Sequence, residues 1–310
     1  MIDPAWRTER ENKFGEQLTR YDQTMRSLRT SGPGILWTTL FLFIPLLGVV
    51  FISFMSRGPY GELQFPLTLE NYTRFLGFGI LGFDPLYPKI LARSIAVAAG
   101  VTILCTVCAL PLAFFIARLP DRCKVLALTL VMVPFWTNLL IRTYAWQILL
   151  SSEGAISQVA QFLGLIAEGE SLYPSLGAVF IGTLCDYLPY LVLPLYASVE
   201  KIDWSIVEAA RDLGANGVRA FRHAVLPQIV PGLAAGVVLV FVPATGQFVV
   251  PDLLGGAKTA MLGNSIAQQF GPSRDWPFGS AIAMSGMVAL FVGLMFYNRV
   301  ITKRGGEGLL

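Results

Sequence analysis

Six apolar stretches of this chain, near 33–55, 91–117, 125–150, 174–199, 228–250 and 278–298, are each long enough to cross a lipid bilayer. A hydrocarbon core about 30 Å thick takes about 20 helical residues. Lipid offers no water to pair with backbone N–H and C=O groups, so each run must close its hydrogen bonds on itself as a helix. Charge agrees with this. Charged residues make up 14% of the 310 and apolar ones 54%, whereas a soluble domain carries about 25% charged residues. Most of the folded surface therefore meets lipid. The expected fold is an all-α integral membrane protein of six transmembrane helices spanning 33–300, with an N-terminal tail at 1–32 and a C-terminal tail at 301–310.

The N-terminal tail is too charged for a signal peptide, with Arg7, Arg10, Lys13, Arg20, Arg26 and Arg29. Phe14, Leu18, Tyr21, Met25 and Leu28 recur at steps of four and three. That spacing suits an amphipathic helix lying on the membrane surface; a solvated basic tail is the other reading. Lys and Arg also orient the spans. The segments before span 1, between spans 2 and 3, between spans 4 and 5 and after span 6 carry 6, 3, 4 and 3 of them. Residues 151–171 carry none and hold Glu153, Glu168 and Glu170 instead. The positive-inside rule then puts both termini in the cytoplasm, with the 200–227 loop on the same side. The opposite side still carries Arg57, Arg74, Lys89, Lys258 and Arg274, in longer loops that weigh less.

Sites for chemistry are sparse. Cys105 and Cys108 form a CxxC inside an apolar run, with no His or further Cys nearby, so no metal site is expected. His223 stands alone and reads as a solvated or packed side chain. Gly255-Gly256-Ala257-Lys258-Thr259 has Ala where a phosphate-binding loop needs Gly, and no strand precedes it. No nucleotide site is expected in this chain, and no nucleic-acid partner. With no cluster of His, Cys or carboxylates in the spans, a membrane enzyme is set aside.

The most specific stretch is Glu208–Pro227, EAARDLGANGVRAFRHAVLP, between spans 4 and 5. Gly214 stands six residues after Glu208, and Leu226-Pro227 follows thirteen residues after Leu213. Local chemistry supports a short helix. Ser205 to Glu208 fits a capping box, Ile206, Ala210 and Leu213 share one face, and Gly214 suits a helix C-terminus. Ala209 and Ala210 keep that helix slim, Arg211 and Asp212 follow them, and Pro227 is placed to open the next span. The pattern resembles the EAA loop of ABC importer permeases. The resemblance implies that Glu208, Ala209, Ala210, Arg211, Asp212, Gly214 and Pro227 belong to a cytoplasmic coupling helix and its loop, which docks into a cleft of a separate ATPase subunit. ATP and Mg then belong to that partner, and this chain carries no cofactor of its own.

Two further stretches, Val133–Trp146 and Val242 through Pro251–Gly256 to Arg274–Gly279, resemble the permeases of spermidine/putrescine importers. Together with the loop, the resemblance covers roughly residues 30 to 300. It implies the type I importer fold in a bacterial inner membrane, a paralogous second permease, two ATPase subunits, an external solute-binding protein and a polyamine substrate. Alanine at 224 departs in a minor way from the Ile that the wider pattern prefers at that place.

A polycation needs acids, carbonyls and aromatic faces along its path. Asp186 is the only acid within the expected spans, with Tyr187 and Tyr190 beside it. An acid in a bilayer costs roughly 2.5–3.5 kcal/mol on insertion scales and so faces a cavity or a partner. It either lines the path or pairs with Arg142. Trp136, Asn138, Tyr144 and Trp146 on span 3 are further candidates, though aromatics at span ends also serve as interfacial anchors. Asp252 and Asp275 are placed at an outer gate or against the binding protein. Helix distortion is expected at Pro111, Pro134, Pro189, Pro194 and Pro243. Gly232 and Gly236 form a GxxxG that permits close helix approach, in this chain or with another. The rival readings are an ABC permease for another small organic or cationic solute, and a proton-coupled secondary carrier with Asp186 as relay, which would transport alone and without ATP.

Overall fold

The structure is a computed structural model that describes residues 31–79, 82–256 and 259–302. The amphipathic stripe of the N-terminal tail and most of the C-terminal tail lie outside the described residues. The chain divides into two compact units, Met1–Ile52 and Ser53–Leu310. In the first, α1 (Ser31–Ser53) carries the first apolar span, with a π-turn at Thr39–Phe43.

The second unit opens with two small antiparallel hairpins, β1 (Ser56–Arg57) with β2 (Leu63–Gln64) and β3 (Phe78–Gly79) with β4 (Gly82–Phe83). The helix α2 (Glu70–Phe75) lies between them. Asn71 ties α2 back to the chain below it, its amide donating to the carbonyls of Ser53 (2.9 Å) and Met55 (2.8 Å). Then come α3 (Leu86–Ala117), α4 (Asp121–Trp136), α5 (Leu139–Leu150), α6 (Ala155–Phe162) and α7 (Leu176–Val199). The loop helix α8 (Trp204–Asp212) precedes α9 (Gly217–Thr245). Finally α10 (Val249–Leu254) and α11 (Leu262–Phe270) lead to α12 (Trp276–Thr302).

Five helices, α1, α3, α7, α9 and α12, are long and apolar enough to cross a bilayer. The expected third span is different. It is broken into α4 and a second helical part, bent by 92°, and only as a pair do they make a sixth crossing. The reason is local. Thr137 and Asn138 adopt extended backbone, and the Asn138 side chain caps α5 by accepting from the Leu140 N–H at 2.8 Å. The Pro134 carbonyl accepts from the Thr137 hydroxyl at 2.6 Å and from Arg142 Nη1. One straight span over 125–150 was therefore an oversimplification. An Asn in the extended state before a helix is a strong cap, and here it starts a new helix in a new direction. At Pro111, by contrast, α3 runs on unbroken for 32 residues.

The core is built around α7, which packs along α9 and α3. On α3 the inward stripe is Val97, Val101, Cys105, Ala109 and Ala113, one residue per turn and all buried. Cys105 is part of this packing stripe and Cys108 is exposed, which explains the CxxC without redox chemistry. Lipid is as apolar as these side chains, so association rests on close packing rather than on escape from water. The GxxxG meets a partner in this same chain. A side chain on Gly236 would press to 3.0 Å from Leu191 Cγ, and one on Gly232 would strike Pro194 and Ser198 of α7.

Candidate functional site

The loop between α7 and α9 is closed by its own backbone. Asp203 is the N-cap of α8, its carboxylate accepting from the Ser205 N–H (2.9 Å) and hydroxyl (2.7 Å). These bonds hold the Asp203 carboxyl below the usual carboxylate range, the Ser205 hydroxyl first and its N–H second. The expected capping box from Ser205 to Glu208 is thus corrected: the helix starts earlier, at Trp204, and Ser205 is already inside it. At the other end Gly214 is left-handed, with φ of 85°. Gly214 N–H bonds to the Arg211 carbonyl at 2.8 Å and Ala215 N–H to the Ala210 carbonyl at 3.0 Å. That pair of bonds is the Schellman closure, which satisfies carbonyls a helix end leaves open. Asn216 then caps the next helix by accepting from Arg219 N–H at 2.9 Å.

Pro227 stands in the first turn of the α-helical stretch Leu226–Thr245, as expected, but helical turns precede it. The helical backbone starts at Gly217 and passes through a π-turn at Phe221–Val225, with Pro227 just beyond it. Proline donates no N–H to the preceding turn, and the wider turn falls just where that donor is missing. The loop and α9 are therefore one continuous unit down to Thr245.

With every local backbone demand met, the side chains of α8 divide sharply. Val207 alone is buried, beneath the helix and against the main core. Ile206 and Trp204 are exposed, Leu213 at the tip is 90% exposed and Val218 is 77% exposed. Glu208, Ala209, Arg211 and Asp212 are exposed as well, and Ala210 is half-buried. The apolar face expected from Ile206, Ala210 and Leu213 is split: Ala210 packs against the core of this chain, while Ile206 and Leu213 are exposed. Large apolar side chains left exposed on a loop helix mark a candidate surface for a partner. His223 lies exposed, Nδ1 3.1 Å from the Arg219 carbonyl.

Within the bundle, Asp186 is buried on α7, the eleventh of its 24 residues. Its partner is Arg142 of α5, with Nε 2.5 Å from Oδ1. Of the two readings open for Asp186, the pair with Arg142 is the one observed. The rings of Tyr187 and Tyr190 are 5.9 Å apart, and Tyr190 meets Phe135 edge-on at 5.1 Å. Arg142, Cys185, Pro189 and Trp146 line a cleft of about 570 Å³ between α4, α5 and α7. Trp136 (72%) and Tyr144 (51%) are exposed on this chain, and the Asn138 side chain accepts at the α5 cap.

The third expected region behaves otherwise. Asp275, placed by sequence at a gate or contact surface, is 1% exposed. Arg74 reaches it at 2.8 Å and Arg57 at 3.7 Å. Arg57 also donates to the Ser273 carbonyl, and the Arg74 guanidinium stacks 3.9 Å over the Phe278 ring. Asp275 further accepts from the Phe278 N–H at 3.3 Å, at the start of α12. It is a scaffold residue that fastens β1 and α2 to α12, which corrects the expectation of a surface contact. Asp252 is exposed and accepts from Asn264 at 3.4 Å. Arg57 and Arg74 carried no such signal in the sequence, because their partner is about 200 residues away. Among the described residues no group of acids, His and Cys is arranged to hold a metal ion.

A bundle of membrane-crossing helices with one outward-facing, self-capped loop helix defines a membrane subunit built to be joined by another protein. The family model of the binding-protein-dependent transport system inner membrane component matches residues 35–306, and the chain belongs to that family. It is 40% identical over 271 residues to the spermidine/putrescine transport system permease protein PotB of Escherichia coli (strain K12), covering 86% of this chain and 96% of that one. The PotB of Haemophilus influenzae is 39% identical over 272 residues, covering 86% and 92%. The inner membrane ABC transporter permease protein YdcU of Escherichia coli (strain K12) is 29% identical, covering 87% of each. In three dimensions the chain resembles a chain of a bacterial ABC transporter involved in the import of the acidic polysaccharide alginate, with a TM-score of 0.68. That chain is 15% identical, and the match covers 93% of this chain and all of that one. The fold is the expected type I importer permease fold, in a multi-pass protein of the inner membrane.

Proposed function

We propose that this chain is the permease subunit of an ABC importer and forms half of a translocation path for polyamines of the spermidine/putrescine class. The observation that carries the reading is α8: its backbone is closed at both ends, Val207 anchors it to the core, and Trp204, Ile206 and Leu213 are left exposed. Such a helix is pre-organised for one purpose, insertion into a cleft of another protein. The partner is an ATPase subunit, one of two, holding ATP and Mg. A paralogous permease forms the other half of the path, and an external solute-binding protein delivers the substrate. The orientation that places α8 and both termini in the cytoplasm is supported by the Lys and Arg distribution.

The mechanism follows from the continuity of the loop with α9. Closure of the ATPase pair moves α8, and the Schellman turn and Asn216 cap pass that motion to the helix starting at Gly217. The bundle then alternates between outward and inward openings. This chain makes and breaks no covalent bond. The substrate class is supported by the names of the relatives at 40% identity, and not by the fold, since the alginate transporter shares that fold with an acidic cargo.

The test is uptake of labelled spermidine and putrescine into proteoliposomes that hold this chain, its second permease, the ATPase and the binding protein. Uptake that requires internal ATP is the expected outcome. ATP hydrolysis stimulated by the binding protein without uptake would overturn the substrate class. Uptake by this chain alone, indifferent to ATP, would overturn the importer reading.

A further inference from the structure

The pair between Arg142 and Asp186 is incompletely made. Asp186 is 5% exposed, yet its Oδ2 has no hydrogen-bond partner. One turn earlier on the same helix, the buried Thr183 hydroxyl has none either. Arginine and carboxylate usually meet as a two-pronged fork, and buried polar atoms are almost always satisfied. Here the ion pair brings Nε to a single oxygen, and Nε itself makes no hydrogen bond. The guanidinium has a second anchorage of its own, since Nη1 donates to the Pro134 carbonyl at the break between α4 and α5. Arg142 also lines the cleft of about 570 Å³. It therefore has both room and an alternative acceptor if it leaves the carboxylate. Next to the acid stand Tyr187, Tyr190 and Phe135 in a row of ring contacts.

We infer that Asp186 is a binding site for a primary ammonium group and that Arg142 is its resident stand-in, a tethered cation displaced when the substrate arrives. This rests on the polyamine reading above and names the site within it. A free buried oxygen and an unpartnered hydroxyl would receive the N–H donors of an ammonium, and the tyrosine and phenylalanine rings would take its alkyl chain and positive charge. On departure of the ammonium, Arg142 returns, so the buried acid is never left without a counter-charge. The arrangement excludes leakage of small cations through an empty acidic site. Because α4 ends at Trp136 and α5 begins afresh at Leu139, Arg142 can shift without dragging α4 along.

The decisive variant is the double substitution Arg142→Gln with Asp186→Asn, in the assembled transporter. It removes both charges together and so leaves no lone buried ion. A purely structural pair predicts normal spermidine uptake. The stand-in role predicts an assembled complex whose ATP hydrolysis still responds to the binding protein, but whose spermidine uptake falls about tenfold or more, the scale of one lost charge-assisted hydrogen bond. Wild-type uptake by the double variant would overturn the inference. A second measurement needs no variant. Cys185 precedes Asp186 in the chain and lines the cleft that Arg142 lines, whereas Cys123 is exposed. Spermidine at Asp186 should slow the reaction of Cys185 with a cationic thiol reagent and leave Cys123 unchanged, with sodium chloride at equal ionic strength as control. An unchanged Cys185 rate would overturn the inference too. If the wild-type complex takes up no polyamine, the failure belongs to the substrate class instead.

Discussion

Two regions outside the spans invert the usual distribution of side chains, and they do so in opposite senses. The α8 loop displays apolar residues to water, with Leu213 90% exposed. The junction of β1, α2 and α12 hides a carboxylate, Asp275, at 1% exposure under two arginines. Each exception has one physical meaning. A buried acid with three donors around it is satisfied within the chain and adds to the fold. An exposed leucine on a helix whose caps are already complete adds nothing to the fold and is available to something else. The difference separates the part of the molecule that holds itself together from the part that waits for a partner.

That separation predicts opposite outcomes for two substitutions. The largest effect belongs to Leu213→Asp. ATP-driven uptake should fall about 30-fold or more, as when a central interface contact worth 2 kcal/mol or more is lost. The thermal midpoint of the purified chain should not move. A fall in stability from Leu213→Asp would mean that the tip packs within this chain, and the comparison would break. Asp275→Ala should do the reverse. Removing the buried partner of a fully buried pair costs 3–5 kcal/mol, and about 2–3 is expected here because Arg57 and Arg74 keep nearly half their side chains in solvent. Thermal unfolding in detergent measures it, while ATP hydrolysis per folded complex should stay coupled to uptake. Should Asp275→Ala leave stability intact, the buried cluster would lose its role as scaffold.

The smallest effect sharpens the loop side. The Asp203 carboxyl sits below its ordinary range because of the Ser205 hydroxyl and N–H. A depressed folded-state value means that its contribution to α8 is present above the unfolded value of about 3.9 and is lost as pH falls through the folded one. Protection of the Ser205 amide, its exchange relative to that of an unstructured chain at the same pH, should therefore fall only at pH below about 4. Asp203→Asn, which caps without titrating, should remove that acid dependence. If the protection of Ser205 is the same above and below that pH in the native chain, the cap is not held by the charge.

Much of this arrangement was legible in the residues. Run length alone placed α1, α3, α7 and α12 within a few residues, because lipid leaves a long apolar segment no alternative to a helix, but it missed the polar first turns of α9, which starts at Gly217 and not near 228. Gly214 was readable as a helix end because a positive φ is cheap only without a Cβ. The caps were harder. Asp203 and Ser205 are both good N-caps, and composition could not choose between them, but the folded backbone could.

What the chain's order of residues settled by itself was its solvent and its periodicity: how many apolar runs, which turns close locally, and where no catalytic cluster exists. These depend on atoms a few residues apart. Tertiary structure decided the rest. It showed that Asp186 meets Arg142 from another helix, that Gly232 and Gly236 press on α7, and that Asp275 lies beneath Arg57 and Arg74, the latter 201 residues away in sequence. It also turned Asn138 from a polar side chain in a span into the hinge of a broken one. Such pairings rest on distances between elements that no local pattern encodes. A charge buried in a low-dielectric interior takes its meaning from whatever the fold brings to within a few ångströms of it.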